Sequence, residues 1–550
     1  MLTQDFKVYS IKRLKDFLDD GRFAVPRLQR AFVWNGKKAA TLLDSAYKGM
    51  PIGTLTVWDT SKKNKNLLQH TTKILPPFQN QNSRVWFVLD GQQRLSVLYQ
   101  IFLGGPKENA LRKVVDFDRV VFRVTEASEG ARFQYRLPVS GEWVSVARIL
   151  APNWKRQLRG LTLGQLNRVK GCRSKLLQYR VQLACTQSED LEEARDLFLR
   201  INSLGTPLAA ADRAFARASE FDLREIAEST WTKLPEGFKS LSHEVLLQTR
   251  ALLDGIRDVG EKSLVESVRK WDGQIRLHDK SVQDFTRAWD RQEKAMLRAL
   301  DCLRLNFAVI DEGLLPSNYM LATLTIYFYW HQAKEAKHHL VEIRKWFWAT
   351  GLGQRYSGRG FRINILRDAD FFKRLATSRS AVFKIEERVD PMDLLGATYG
   401  KRSSIADTLS CLLILQKPVF VKSGSEMLLN EYASPANRKH RHHIFPRALL
   451  KRQGVATKRA NSIVNLCFIS AEENSQFGSK RPSMYLSPFR RRRQFKSIMQ
   501  RHLVPVAEEG GLWNQSVKRG YRQFLKERTK MLCAAFETVA GAKIFRRDQI

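Results

Sequence analysis

The run VWFVLDGQQRLSVLYQIF, residues 85–102, constrains the fold more than any other stretch of the chain. VWFVL is a short unbroken apolar run, the pattern of a strand buried on both faces. LSVLYQIF then spaces its apolar residues as a helix does. Only DGQQR lies between, so a strand must turn into a helix with almost no loop. That predicts a mixed α/β layer, with Asp90 as N-cap and Gln93, three residues on, completing a capping box. Gly91 lets backbone come close to whatever lies over the helix start. Free N–H groups, the helix dipole and the guanidinium fork of Arg94 favour an anion there. The plainer reading is a well-capped helix that binds nothing.

Around this core the first 225 residues alternate strand and helix. IKRLKDFLDD reads as a short helix, IGTLTVW (52–58) as a strand and RVVFRV (119–124) as another. From about 160 to 350 the spacing is mostly helical. KWFWAT then runs into GLGQRYSGRG (351–360), which reads as a helix C-cap and flexible turn before a phosphate cradle. After 385 the chain is helical again and closes with GYRQFLKERTKMLCAAFETV. At 550 residues it is too long for one core. The expected division is an α/β domain over 1–225, a helical connecting region over 226–384 and a C-terminal domain over 385–550.

Charge narrows the partner. Lys and Arg number 93 against 55 Asp and Glu, a net charge of +38, which calls for a polyanion. No apolar run approaches the ~20 residues of a membrane span, and MLTQDFKVYS has no apolar signal region. Nucleic acid is therefore expected and a membrane is not. Six cysteines without a CxxC pair fit neither a zinc ribbon nor a disulfide framework and suit a reducing cytoplasm.

The segment RKHRHHIFPRALL, 438–450, gathers His440, His442 and His443 among cations. Repulsion should hold these imidazoles neutral, as a metal ligand or general base requires. Downstream, NSIVNLCFIS (461–470) reads as a strand with Asn465 at its start, and AEENSQFGSK as a short helix carrying Asn474. Strand, loop, strand and helix make a ββα unit. It resembles the HNH, or ββα-metal, nuclease motif in its HNN form. The resemblance implies His443 as general base, Asn465 holding the ring or its supporting backbone, and a divalent metal on His442 and Asn474. The position of His442 is usually Asp, and imidazole suits Mn²⁺, Ni²⁺ or Zn²⁺ better than Mg²⁺. Mg²⁺ or Mn²⁺ remains the first expectation, with His440 as a further ligand candidate. Lys480 and the run Arg490, Arg491, Arg492 and Arg493 are the expected contacts to DNA backbone.

At the other end, PRLQRAFVW, the PIG segment, DGQQR and RINSLGTPL stand in order. Together they resemble the N-terminal domain of GmrSD-type, modification-dependent restriction endonucleases and their phage-defence relatives, a domain related to the ParB/sulfiredoxin-like fold and joined in that family to a C-terminal HNH domain. KWFWATGLGQRYSG and LWNQSVKRGYRQFLKER also look like this family. The resemblance implies binding and hydrolysis of a nucleoside triphosphate, GTP or ATP, by Asp90, Gly91, Gln92, Gln93 and Arg94, with Gln29 and Arg30 nearby and Asn202 and Thr206 as weaker candidates. No Walker sequence occurs. Phe32, Trp34 and Trp58 are read as core before base-stacking platforms.

Two functions compete. One is a cytoplasmic, metal-dependent DNA endonuclease of an anti-phage restriction system, gated by nucleotide and by DNA modification. The other is a non-catalytic, ParB-like DNA-binding or regulatory protein with a decayed HNH unit. Charge alone also admits a ribonuclease or toxin. The modification sensed, the metal, the nucleotide and the oligomeric state, a homo-oligomer included, stay open at this level.

Overall fold

The computed structural model describes residues 3–546 apart from 27–28, 30–31, 62, 65–73, 77, 79–83, 110–112, 127–130, 205–208, 334–336, 359, 379–380, 399–402 and 428–440. It is a mixed α/β chain with two compact units, Met1–Arg224 and Glu225–Ile550.

The first unit holds β1 (Thr3–Ser10), β2 (Phe23–Ala24), β3 (Leu55–Ser61), β4 (Arg84–Asp90), β5 (Pro106–Glu108), β6 (Val114–Asp116), β7 (Val120–Arg123), β8 (Phe133–Tyr135), β9 (Trp143–Ser145) and β10 (Arg180–Gln187). Five of them form one sheet in the order β1-β10-β3-β4-β2. β10 runs parallel to β3 and antiparallel to β1, while β4 runs antiparallel to β3 and parallel to β2. Side chains alternate across a strand, and β4 uses both faces. Val85, Phe87 and Leu89 join Trp58, Ala194 and Phe198 in one apolar cluster, while Val88 joins Leu55, Val57 and Leu183 in another. Two covered faces explain why the strand reads as an unbroken apolar run. The Trp58 and Phe87 rings stack with centroids 5.5 Å apart. β5 pairs with β6, and β8, β7 and β9 form a small antiparallel sheet.

The second unit is largely helical. Its longest helices are Val282–Phe307 and Val517–Ala540. The helices of 261–377 and those beyond 391 share this unit. The GLGQRYSGRG turn is anchored, contrary to its reading as flexible. The helix Lys337–Leu352 ends there, and Arg355 donates to buried Asp368 at 3.0–3.2 Å. Tyr356 and Trp346 donate to the same carboxylate at 2.7 and 3.1 Å.

This unit also carries β11 (Arg441–His443) and β12 (Leu466–Phe468), an antiparallel ribbon that pairs His442 with Cys467 and His443 with Leu466. β12 is shorter than the apolar run around it, and Asn465 lies in the single 3₁₀ turn Ile463–Asn465 that feeds it. The helix Ala471–Phe477 follows, with a capping box between Ser470 and Glu473. Among the described residues no helix is long and apolar enough to cross a membrane. All six cysteines are free and buried.

Candidate active site

In the first unit β4 ends at Asp90 and the helix Gln92–Leu103 begins after Gly91, whose φ of +89° makes it the N-cap without any side-chain cap bond. The capping box expected of Asp90 and Gln93 does not form, because both side chains are held by other partners. Asp90 accepts from Arg94 Nη2 at 2.7 Å, one helical turn on, and Arg94 Nη1 donates to the Ile52 carbonyl at 2.8 Å. Arg94 thereby fills the space beneath Gly53, where an added Cβ would lie 2.2 Å from Nη1 and φ is +85°. The PIG turn needs its glycine.

Gln93 Oε1 accepts from the Val33 and Trp34 amides at 2.8 and 3.3 Å. Gln29 Nε2 donates to the Val88 carbonyl at 3.1 Å and to that of Leu89. Gln29, Asp90, Gln93 and Arg94 thus bind the PRLQRAFVW and PIG segments to the strand–helix turn. Gln92 differs. It is buried, and its Oε1, like Ser96 Oγ one turn on, has no hydrogen-bond partner. Arg30 and Thr206 lie outside the described residues, as does the side chain of Asn202. Phe32 and Trp58 are core. Trp34 is half-buried and lines an open groove of about 400 Å³ with Lys37 and Lys38.

In the second unit the ribbon brings two of the predicted residues into contact. His442 Nδ1 is hydrogen-bonded to Asn474 Oδ1. The ring is buried edge-on to Phe477 and Tyr485, each with its centroid 6.0 Å away, and Nε2 has no hydrogen-bond partner. Burial pushes the His442 pKa down to about 4. His443 is half-buried, its Nε2 is also without a hydrogen bond, and its pKa falls to about 4 through burial first, then Arg447 and His442, with Asn461 pulling the other way. Desolvation outweighs the cation repulsion expected from the sequence; Arg447 contributes at His443 alone. Both rings are neutral near pH 7. His440 falls outside the described residues.

Asn465 is fully buried and holds the backbone after His443 rather than the ring. Its amide accepts from Phe445 N and donates to the Phe445 carbonyl, both at 2.9 Å, and to the Ala460 carbonyl at 3.2 Å, while its own carbonyl accepts from Ile444 N at 2.8 Å. Tyr485, which the sequence reading missed, adds a bond to the Ile444 carbonyl at 2.7 Å.

Two ligands of one small cation, each at about 2.1 Å and at right angles, lie ~3 Å apart. In this structure Nδ1 and Oδ1 are instead hydrogen-bonded directly to each other. No group of three or more His, Cys, Asp or Glu suited to a metal occurs among the described residues.

The predicted DNA contacts divide. Lys480 is exposed just past the helix Ala471–Phe477. Arg490 pairs with Glu508 and lies over Trp513 at 4.2 Å, while Arg492 donates to the Lys422 carbonyl and lies over Phe489 at 4.8 Å. Arg491 and Arg493 are exposed.

His502 supplies a stability test of this unit. Its ring is buried and donates from Nε2 to the Val419 carbonyl at 2.8 Å, and burial lowers its pKa to about 4. An unfolded histidine titrates near 6.5, so the unfolded chain binds more protons between these values. Stability is whole above pH 6.5 and falls toward pH 4, by about 2 kcal/mol for this group at pH 5. His442 and His443 act in the same direction. Urea melts at pH 7 and pH 5 should show the loss, and His502→Gln, which keeps a donor without the titration, should remove about a third of it. An equal loss in the variant would mean that His502 is not one of the groups responsible.

Residues 14–218 match the GmrSD restriction endonuclease, N-terminal domain. The matched stretch contains the PRLQRAFVW, PIG, DGQQR and RINSLGTPL blocks and ends well before the His442–Asn474 ribbon. The matched region thus contains four of the five strands of the main sheet, all but β1. Over nearly its full length the chain is also similar to the uncharacterized protein MJ0686 of Methanocaldococcus jannaschii, at 23% identity across 89% of this chain and 88% of that one.

Proposed function

We propose that this protein is a metal-dependent DNA endonuclease of a prokaryotic restriction system. The observation that carries the proposal is the contact of His442 with Asn474 beside the neutral imidazole of His443, whose Nε2 has no hydrogen bond, on a ribbon that Asn465 clamps. The GmrSD-type N-terminal region supports it. His442 and Asn474 hold the cation, Mg²⁺ or Mn²⁺ in preference to Zn²⁺ or Ni²⁺. A divalent ion there supplies positive charge to a phosphate oxygen and to the leaving oxygen. His443 accepts the proton of the attacking water through its free nitrogen. A phosphodiester beside it favours the protonated ring and raises a pKa that burial has lowered. Asn465 fixes the backbone from which His443 projects, and so acts as a positioning residue.

In the GmrSD-type region we assign a nucleoside triphosphate, GTP or ATP, to the start of the helix Gln92–Leu103. Its support is the helix N-terminus at Gly91, which no side chain caps, and the buried Gln92, whose Oε1 has no hydrogen-bond partner. Asp90, Gln93, Arg94 and Gln29 shape that site by holding the loops around it. Nucleotide and modification of invading phage DNA would gate the nuclease.

Metal removal tests the enzyme reading. Supercoiled plasmid should be nicked with Mg²⁺ or Mn²⁺, remain intact in EDTA, and be nicked again when Mn²⁺ is restored, with DNA retention unaffected throughout. His442→Asp should move the preference toward Mg²⁺, because carboxylate suits that ion better than imidazole. Retention without nicking under every metal and nucleotide condition would instead leave the non-catalytic, ParB-like binder.

A further inference from the structure

The helix Val517–Ala540 has two faces that ask for different explanations. Its inner face carries Tyr521, Phe524, Leu525 and Arg528, all buried. Tyr521 and Phe524 both pack on Phe445, two residues after His443, with ring centroids 5.2 Å away. Tyr521 also donates to the Arg459 carbonyl at 2.7 Å. This face supports the candidate active site from beneath.

The outer face carries Lys518, Arg519, Arg522 and Lys526, all exposed and without an ion pair among the described residues. Lys518, Arg522 and Lys526 recur every four residues, so they line up along one side of the helix. Folding alone argues against this arrangement. Cations near a helix N-terminus oppose its dipole, and like charges four residues apart repel. The first turn has no acidic residue to offset them, and the nearest downstream carboxylate, Glu527, is paired with Lys530 at 2.9 Å. Exposed Lys458 and Arg459 lie on the turn that Tyr521 holds, and exposed Arg481 reaches the Gln515 carbonyl at 3.4 Å. Between residues 441 and 526 the chain has 18 Lys and Arg against four Asp and Glu, so the segment leading into this helix is strongly basic. A polyanion would relieve the strain that the isolated chain carries.

We propose that the outer face of the helix Val517–Ala540 is a surface on which duplex DNA lies. The identity of the polyanion rests on the nuclease reading; the existence of the surface does not. From Lys518 to Lys526 the helix rises ~12 Å, the length of three to four base pairs. Each of the three aligned cations would meet a phosphate, setting the path of the backbone without reading sequence.

The test is binding of a 30-base-pair duplex to the full chain in EDTA, where no cleavage intervenes, over a series of salt concentrations. Replacing Lys518, Arg522 and Lys526 together by glutamine should reduce the slope of log affinity against log salt by about three and weaken binding at ~0.1 M salt roughly a hundredfold. The thermal midpoint should hold or rise, since repulsion is removed. The charge-preserving variant Lys518→Arg, Lys526→Arg should keep the wild-type slope. Neutralising Lys262, Arg269 and Lys294 on other helices of the same unit should leave it nearly unchanged. An unaltered slope in the first variant overturns the proposal, as does equal loss from the second set. Preferential binding to duplex RNA or to phosphatidylserine vesicles through these same cations also overturns it. A wild-type chain that never nicks DNA but shows the predicted slopes would remove the nuclease reading and leave this surface standing.

Discussion

Replacing His443 by alanine should slow plasmid nicking by two to four orders of magnitude, the range that a positioned general base contributes. The fold should survive, because Nε2 of the ring makes no hydrogen bond and the side chain is only half-buried. The backbone beside it is held independently, through Asn465 and Tyr485. Nicking rate, thermal midpoint and DNA retention measured on the same preparation separate chemistry from folding. A variant that nicks at the wild-type rate while remaining folded would remove His443 from the mechanism. A variant that no longer folds would give its imidazole a packing role that the geometry does not assign.

The second large effect belongs to Arg528. Its guanidinium is fully buried with no carboxylate beside it. It donates to the carbonyls of Val464 at 2.5 Å, His502 at 3.0 Å and Leu503 at 3.0 Å. Burial lowers its pKa to about 10, and the cation is sustained by these three oxygens. Val464 immediately precedes Asn465, so one side chain ties the long helix to the base of the ribbon. Arg528→Met keeps much of the volume and leaves three buried carbonyls unpaired. It should cost about 3–5 kcal/mol in guanidinium melts. Arg528→Lys restores a charge without the planar fork and should recover only part of that loss. A Met variant within 1 kcal/mol of wild type would show that water or backbone adjustment replaces those bonds.

How much of this was legible beforehand follows from how local each signal is. VWFVL announced a strand with two covered faces because its apolar residues supply both clusters. His443, Asn465 and Asn474 were placed in order by the alternation of strand-like and helical runs, although β12 is three residues long. The capping box at Asp90 and Gln93 was misread because capping rules describe neighbours in sequence. Arg94, and backbone about 60 residues upstream, won those side chains instead. Arg528 escaped notice because arginine in a basic helix looks solvent-facing. Its phase was the available clue: Tyr521, Phe524, Leu525, Arg528 and Leu532 share one stripe, and Arg528 occupies a position that the apolar pattern reserves for the core.

The way Asn465 is used has an evolutionary corollary. Both ends of its amide are committed to the main chain around residues 445 and 460, so aspartate, which cannot donate to those carbonyls, is no substitute despite its shape. Imidazole at 443 bears no such architectural duty. A lineage abandoning cleavage is free to shed the histidine while selection for a folded chain retains the asparagine. Related chains with asparagine at this site and another residue at 443 would then be intact, silent versions of the same machine.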